Sequence, residues 1–287
     1  MLRAMRAVAA PIVLALLAGG LVSARQGPGV QSSSPRALSD ALVDIGGRRL
    51  HISCTGTGSP TVILEAGLGD SSATWKSVQP PVAQVTRVCS YDRAGKGTSD
   101  PDPRKEFRTS RAAVDDLSRL LRAAPVSGPY VLVGHSLGGA YIRLYATRFP
   151  KDVVGMVLVD ASHEHQYDRF KAAGFQQLPP AGQNSERTDM VASLVEVGET
   201  PWRADIPLVV LSHGRRIADV PNVSAEVANA IETAWADLQR ELASRSPQGR
   251  LVIAQKSGHY VQTDEPELVI GAIREVVVAA RRAAAGR

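Results

Sequence analysis

Val131-Leu132-Val133-Gly134-His135-Ser136-Leu137-Gly138-Gly139 decides how the chain is read. An apolar run, Tyr130 to Val133, meets Gly134-His135-Ser136-Leu137-Gly138. A helix-like stretch from Ala140 to Phe149 follows and stops at Pro150. The pattern is strand, sharp turn, helix, with a serine at the turn. The glycines two residues either side of Ser136 have a steric reason: only residues without a Cβ let strand and helix close around so tight a turn. Such a turn lifts the serine hydroxyl clear of the backbone. It also places the Leu137 N–H at the start of a helix, where it can stabilise a developing oxyanion.

The chain has 287 residues, of which 44% are apolar, so it can fill a sizeable packed core. Net charge is +5. Arg3 and Arg6 lie in a segment expected to be removed, and without them the balance is about +3, an ordinary solvated surface. With only 5% aromatic residues, a base-stacking platform is not indicated either. Residues 1–24 read as a secretory signal, with a basic start, an apolar run from Ala7 to Val22, and small residues Val22-Ser23-Ala24 for a cut after Ala24. The competing reading is an uncleaved anchor. The run is short for a span of roughly 20 residues and is broken by Pro11 and Gly19-Gly20. Residues 25–40, rich in Ser, Gly, Pro and Gln, read as a linker.

Strand and helix signals then alternate. Ala41 to Ile45 and Arg48 to Cys54 form a hairpin about Gly46-Gly47, with Leu50, Ile52 and Cys54 on one face. Thr61–Leu64, Arg87–Tyr91, Val153–Val159, Leu208–Leu211 and Leu251–Ala254 read as further strands, mostly continuously apolar. Trp75–Val85 reads as a helical crossover disturbed by Pro80-Pro81. Thr109 or Ser110 caps a helix to Ala124, Ser224–Ala243 is a long helix, and Pro266 starts a last one through about Ala284. Residues 161–205 hold only two helix-like pieces, around Asp168–Ala173 and Ser185–Val197. This alternation predicts a doubly wound, mainly parallel sheet with an antiparallel edge hairpin.

Three side chains follow strands, at the carboxyl ends where open α/β sheets place their sites: Ser136, Asp160 and His259. A serine hydroxyl needs a base to take its proton, histidine is the natural base near neutral pH, and a carboxylate fixes the imidazole tautomer.

The chain resembles the α/β-hydrolase family from about Ala41 to Ala284. Four stretches carry the likeness: Glu65-Ala66-Gly67-Leu68-Gly69; Tyr91-Asp92-Arg93-Ala94-Gly95 with Gly97-Thr98-Ser99-Asp100; Gly134 to Gly138; and Gly258-His259 followed by Glu265-Pro266. The resemblance implies a two-part hydrolase core, 41–160 and 206–287, and a small helical cap at 161–205. It implies Ser136 as nucleophile, His259 as base, and the N–H groups of Leu68 and Leu137 as oxyanion hole. A His-Gly pair common before that first donor is replaced by Ala66-Gly67, so a side chain that braces the loop in relatives is missing. The acid is either Asp160 or Asp219. Asp219 sits later than the usual spacing after the Leu208–Leu211 strand, and some relatives use the position of Asp160, which is preferred.

Two cysteines in an exported chain suggest one disulfide, and two buried thiols are the other reading. The family strand order would set Cys54 beside Cys89, which implies the disulfide. His163-Glu164-His165 with His213 has the residue types for zinc, but a polar loop lining the cleft is the simpler reading. Asp92 and Arg93 read as a structural ion pair, and Asn222-Val223-Ser224 matches a glycosylation acceptor weakly.

The expected protein is therefore an exported or extracytoplasmic serine hydrolase of esters or related acyl compounds. It needs no cofactor or metal, its partner is a small-molecule substrate and not a nucleic acid, and no membrane span remains after signal cleavage. A serine at 136 departs from relatives with an aspartate nucleophile. Amide or peptide cleavage, thioester cleavage, Ser-dependent peroxidase activity, a non-catalytic binding protein on the same scaffold, and a membrane-tethered form are the alternatives.

Overall fold

Among the described residues, eight strands form one sheet. The computed structural model describes residues 40–199, 202, 205–216 and 223–286. The signal-like segment, the linker up to residue 39, Asp219 and Asn222 lie outside the described residues. The strands are β1 (Ala41–Asp44), β2 (Arg49–Thr55), β3 (Thr61–Glu65), β4 (Val88–Tyr91), β5 (Tyr130–His135), β6 (Val153–Val159), β7 (Leu208–His213) and β8 (Gly249–Ala254). Their order across the sheet is β1-β2-β4-β3-β5-β6-β7-β8. β2 is antiparallel to both neighbours, β1 and β4, and the remaining pairs are parallel.

The helices are α1 (Gln79–Ala83), α2 (Ser110–Ala123), α3 (Leu137–Arg148), α4 (Gln166–Ala172), α5 (Met190–Gly198), α6 (Ala225–Ala243), α7 (Val261–Asp264) and α8 (Pro266–Ala285). Alternate residues of the central strands feed two cores. Ile63, Leu132, Leu158 and Val210 pack under α2 and α3 with Leu117, Leu120 and Ile142. Val62, Val133, Val157 and Val209 pack on the other face with Val82 of α1 and Ile273 and Val277 of α8. Burying each such side chain contributes about 1.5–3 kcal/mol, so the continuous apolar runs are what hold helices on both faces.

Some local details differ from expectation. Pro80 and Pro81 open α1 rather than disturb a helix, because the first helical turn needs no N–H from them. Neither Thr109 nor Ser110 caps α2 with its hydroxyl: the Ser110 hydroxyl donates to the Ser193 carbonyl of α5. α5 begins at Met190, not near Ser185. Its cap is Asp189, which accepts from the Ala192 N–H at 2.9 Å. Residues before it are taken up by a turn in which the Asn184 side chain accepts from the Glu186 and Thr188 N–H groups.

Cys54 and Cys89 face each other in the β2–β4 register and form a disulfide. The crosslink spans 35 residues of sequence and ties the antiparallel edge to the parallel sheet. Closing a loop of that length is worth about 3–4 kcal/mol through the unfolded chain. Reduction, or the double variant Cys54→Ala/Cys89→Ala, is expected to lower the thermal midpoint by about 10 °C, read by circular dichroism with and without reductant.

Candidate active site

β5 ends in His135, and Ser136 turns the chain into α3. Ser136 has φ 52° and ψ −125°, a strained conformation for a residue with a side chain. Packing enforces it. A Cβ on Gly134 would lie 2.7 Å from the Gly138 carbonyl oxygen, and one on Gly138 would lie 2.4 Å from the Ala66 carbonyl oxygen. The two glycines thus seat the turn against α3 and against the loop that follows β3. The Ser136 side chain makes no capping hydrogen bond to α3, and its backbone carbonyl accepts from the Gly139 and Ser162 N–H groups.

Asp160 follows β6 and is completely buried. His259 Nδ1 lies 2.6 Å from Asp160 Oδ2. Asp160 Oδ1 also accepts from the His213 N–H at 3.1 Å and from Trp235 Nε1 at 2.9 Å, and the His213 ring lies on both carboxylate oxygens. Burial alone would push this carboxyl up, but hydrogen bonds from His213 and His259 and their charge hold it well below the usual carboxylate range. Of the two candidate acids, Asp160 is hydrogen-bonded to His259. The segment carrying His259 is fixed from several sides. The Gly258 N–H donates to Asp264, the Lys256 N–H to Glu265, and His135 Nε2 lies 2.9 Å from the His259 carbonyl. A carbonyl only accepts, so His135 carries its proton on Nε2. Burial pushes His135 below its ordinary value, which keeps that ring neutral.

The loop after β3 is held by Arg93. Its guanidinium donates to Glu65 at 2.5 Å, to the Ala66 and Gly67 carbonyls at 2.6 and 2.5 Å, and to both oxygens of Glu186. Glu186 in turn accepts from the Gly69 N–H at 2.7 Å, and the Tyr91 hydroxyl donates to Glu65. The Leu68 N–H is trans to the Gly67 carbonyl and so points away from Arg93. A buried arginine is thus the brace of this loop, in which Ala66-Gly67 stands where the resemblance led one to expect His-Gly. The expected Asp92–Arg93 ion pair is not formed. Asp92 instead accepts from the Ser72 and Thr98 N–H groups. Burial pushes Glu65 up despite Arg93, whereas the Arg93 charge outweighs burial at Glu186 and holds it down.

Ser136 and His259 both line a cavity of about 460 Å³, within the range of small-ligand sites. Its apolar wall comes from Phe170, Phe175 and Met190 of the 161–205 segment and from Ile231 and Trp235 of α6. Ser162, Gln166, His213 and Glu232 supply the polar patches. The sequence reading missed α6 as a wall and missed Glu232 and Trp235 altogether; it placed Arg93 in a local ion pair and His213 only beside a metal reading. One signal was available: Glu232 breaks into the apolar stripe of Ala228, Trp235 and Leu238, three residues before a tryptophan.

The zinc reading gains nothing from the geometry. Glu164 pairs with Arg143 and Arg245, His163 contacts Arg245, and His213 lies on Asp160 instead. Among the described residues, no three His, Cys, Asp or Glu side chains are grouped to hold a metal.

A family model described as alpha/beta hydrolase fold matches residues 60–221. The chain belongs to that family. It is 32% identical over 236 residues to the uncharacterized protein YqjL of Bacillus subtilis, covering 80% of this chain and 88% of that one. A solved thermophilic esterase from Thermogutta terrifontis superposes with a TM-score of 0.58 at 21% identity, over 84% of this chain and 98% of that one. The carboxylesterase CesB of Bacillus subtilis gives 0.57 at 16% identity, over 84% and 92%. Both structures share the fold.

In this alpha/beta hydrolase, replacing Arg93 leaves two buried carboxylates, Glu65 and Glu186, without their cation beside the loop that follows β3. Arg93→Met is expected to destabilise the protein by about 3–5 kcal/mol at neutral pH. The unpaired Glu65 and Glu186 then titrate above their unfolded values, so the deficit shrinks as pH falls and both take up protons. Urea unfolding at neutral and at mildly acidic pH checks the size and the sign.

Proposed function

We propose that the protein is an exported serine hydrolase that cleaves carboxylic esters or related acyl compounds. One observation carries the reading: His259, hydrogen-bonded through Nδ1 to the buried Asp160, shares a largely apolar cavity with Ser136. With Nδ1 on Asp160, the lone pair for proton abstraction is on Nε2. Ser136 attacks the acyl carbon and His259 takes its proton. The tetrahedral oxyanion is held by the N–H groups of Leu68 and Leu137. His259 then returns the proton to the leaving alcohol, and the C–O bond breaks to give an acyl-Ser136 ester. Water, deprotonated by His259, attacks that ester and releases the acid.

The strained Ser136 turn and the Arg93-braced loop support the oxyanion assignment, since both donors sit on rigid backbone. The cavity wall of Phe170, Phe175, Met190, Ile231 and Trp235 favours an apolar acyl or alcohol group. Export is supported by the signal-like residues 1–24 and by the Cys54–Cys89 disulfide. Among the described residues, no helix is long and apolar enough to cross a membrane. The esterases among the structural neighbours fit the same chemistry.

The mature protein is expected to react with a fluorophosphonate probe and to hydrolyse short-chain p-nitrophenyl esters. Ser136→Ala abolishes labelling. Asp160→Asn slows it by about 10³–10⁴-fold, the scale of a lost triad acid, while Asp219→Asn labels like the parent. A folded parent that does not label overturns the serine-hydrolase reading.

A further inference from the structure

A second histidine shares the carboxylate that orients His259. His213 Nδ1 lies 2.9 and 2.8 Å from the two oxygens of Asp160, and its Nε2 lies 2.8 Å from Glu232 Oε2. Carboxylates only accept hydrogen bonds, and a neutral imidazole carries one N–H. A neutral His213 would satisfy one carboxylate and turn a lone pair towards the other. Only the imidazolium serves both. The ring is nearly buried, at 4% side-chain exposure, so water does not replace the missing donor.

We infer that His213 is a resident imidazolium, held chiefly by Asp160, that screens Asp160 and thereby sets the pH at which His259 acts as base, with Glu232 as the second acceptor and counter-charge of that cation. The inference rests on the roles proposed above for Ser136 and His259. His213 acts through Asp160 and is a positioning residue. Its proton affinity agrees with the donor count: burial lowers it, but the hydrogen bond and charge of Asp160, and then of Glu232, push it up to about 9. The charge is therefore present throughout the neutral range and lost only in alkaline solution.

The groups facing this pair come from several elements. Asp160 follows β6, Glu232 lies on α6 beside Trp235, and His259 precedes α7. On its own segment, His213 is followed by Arg215, which reaches the Lys256 carbonyl at 3.4 Å, and by Arg216. The His135 ring is centred 4.7 Å from that of His259, with Asp70 at 3.7 Å from His135 and Tyr260 next in sequence.

The signs are opposite for the two partners. Removing the cation takes a positive charge from beside Asp160, so the base holds its proton to higher pH. Removing Glu232 leaves the cation less opposed, so the base releases its proton at lower pH. A charge at this range shifts a titration by about one unit or more. A purely structural role changes the rate and leaves the pH profile where it was.

The test is the rate of fluorophosphonate labelling from about pH 5 to about pH 9 for the parent, His213→Gln and Glu232→Gln, with ¹⁵N NMR of the imidazoles. The expected result is a His213 ring protonated on both nitrogens at neutral pH. The acid limb rises by about one unit in His213→Gln and falls by about half a unit to one unit in Glu232→Gln. If His213→Gln does not fold, Glu232→Gln and the NMR spectrum decide. A labelled parent with a neutral His213, or with unmoved limbs in the folded variants, overturns the role of His213 alone. A folded parent that never labels overturns the serine-hydrolase reading, and the role of His213 with it.

Discussion

A carboxylate with no access to water is the constraint on which the site depends. Asp160 would not stay ionised in the protein interior without donors around it. The chain supplies them from three directions: the end of β7 through His213, α6 through Trp235, and the segment after β8 through His259. Each of these elements is tied to the end of β6 by a bond that the buried charge makes strong. The roof over the cavity follows from this, because the indole that reaches Asp160 also carries α6 across the mouth of the sheet, where the Trp235 ring stacks 6.2 Å from Phe170. Stability of the carboxylate and closure of the cavity are one arrangement.

The sheet determines where that arrangement can form. β3 and β5 are neighbours, and the chain leaves both at the same edge, so the loop after β3 meets the turn after β5. β6, β7 and β8 follow in order, and their ends present Asp160, His213 and the approach to His259 side by side. Burial of Asp160 and His213 strengthens the charge interaction between them.

Much of this was legible in the chain. Continuous apolar runs identify β3, β5, β6 and β7 because a strand covered on both faces has no polar side. Ser136, Asp160 and His259 stand out because each directly follows such a run or lies a few residues past it. The pairing of Cys54 with Cys89 required the strand order that the family likeness supplied. What stayed hidden depends on partners far apart in sequence. Arg93 beside Asp92 suggested a local pair, but residues adjacent in an extended segment point to opposite sides, and Arg93 reaches Glu65 and Glu186 instead. α6 read only as a long helix, since a stripe at helical spacing does not say that its first half faces a cavity and its second half the sheet. The start of α5 was misplaced because the Asn184 turn mimics the opening of a helix.

The guanidinium of Arg93 has two masters. Through Glu65 and two carbonyls it holds the loop beside the serine turn, and through Glu186 it holds the 161–205 segment that walls the cavity. The part of the chain that walls the cavity is thus wired to the part proposed to meet the oxyanion. In evolutionary terms the 161–205 segment is not a detachable module: a segment exchanged for another would have to bring its own carboxylate to position 186, or the loop beneath it would lose its footing.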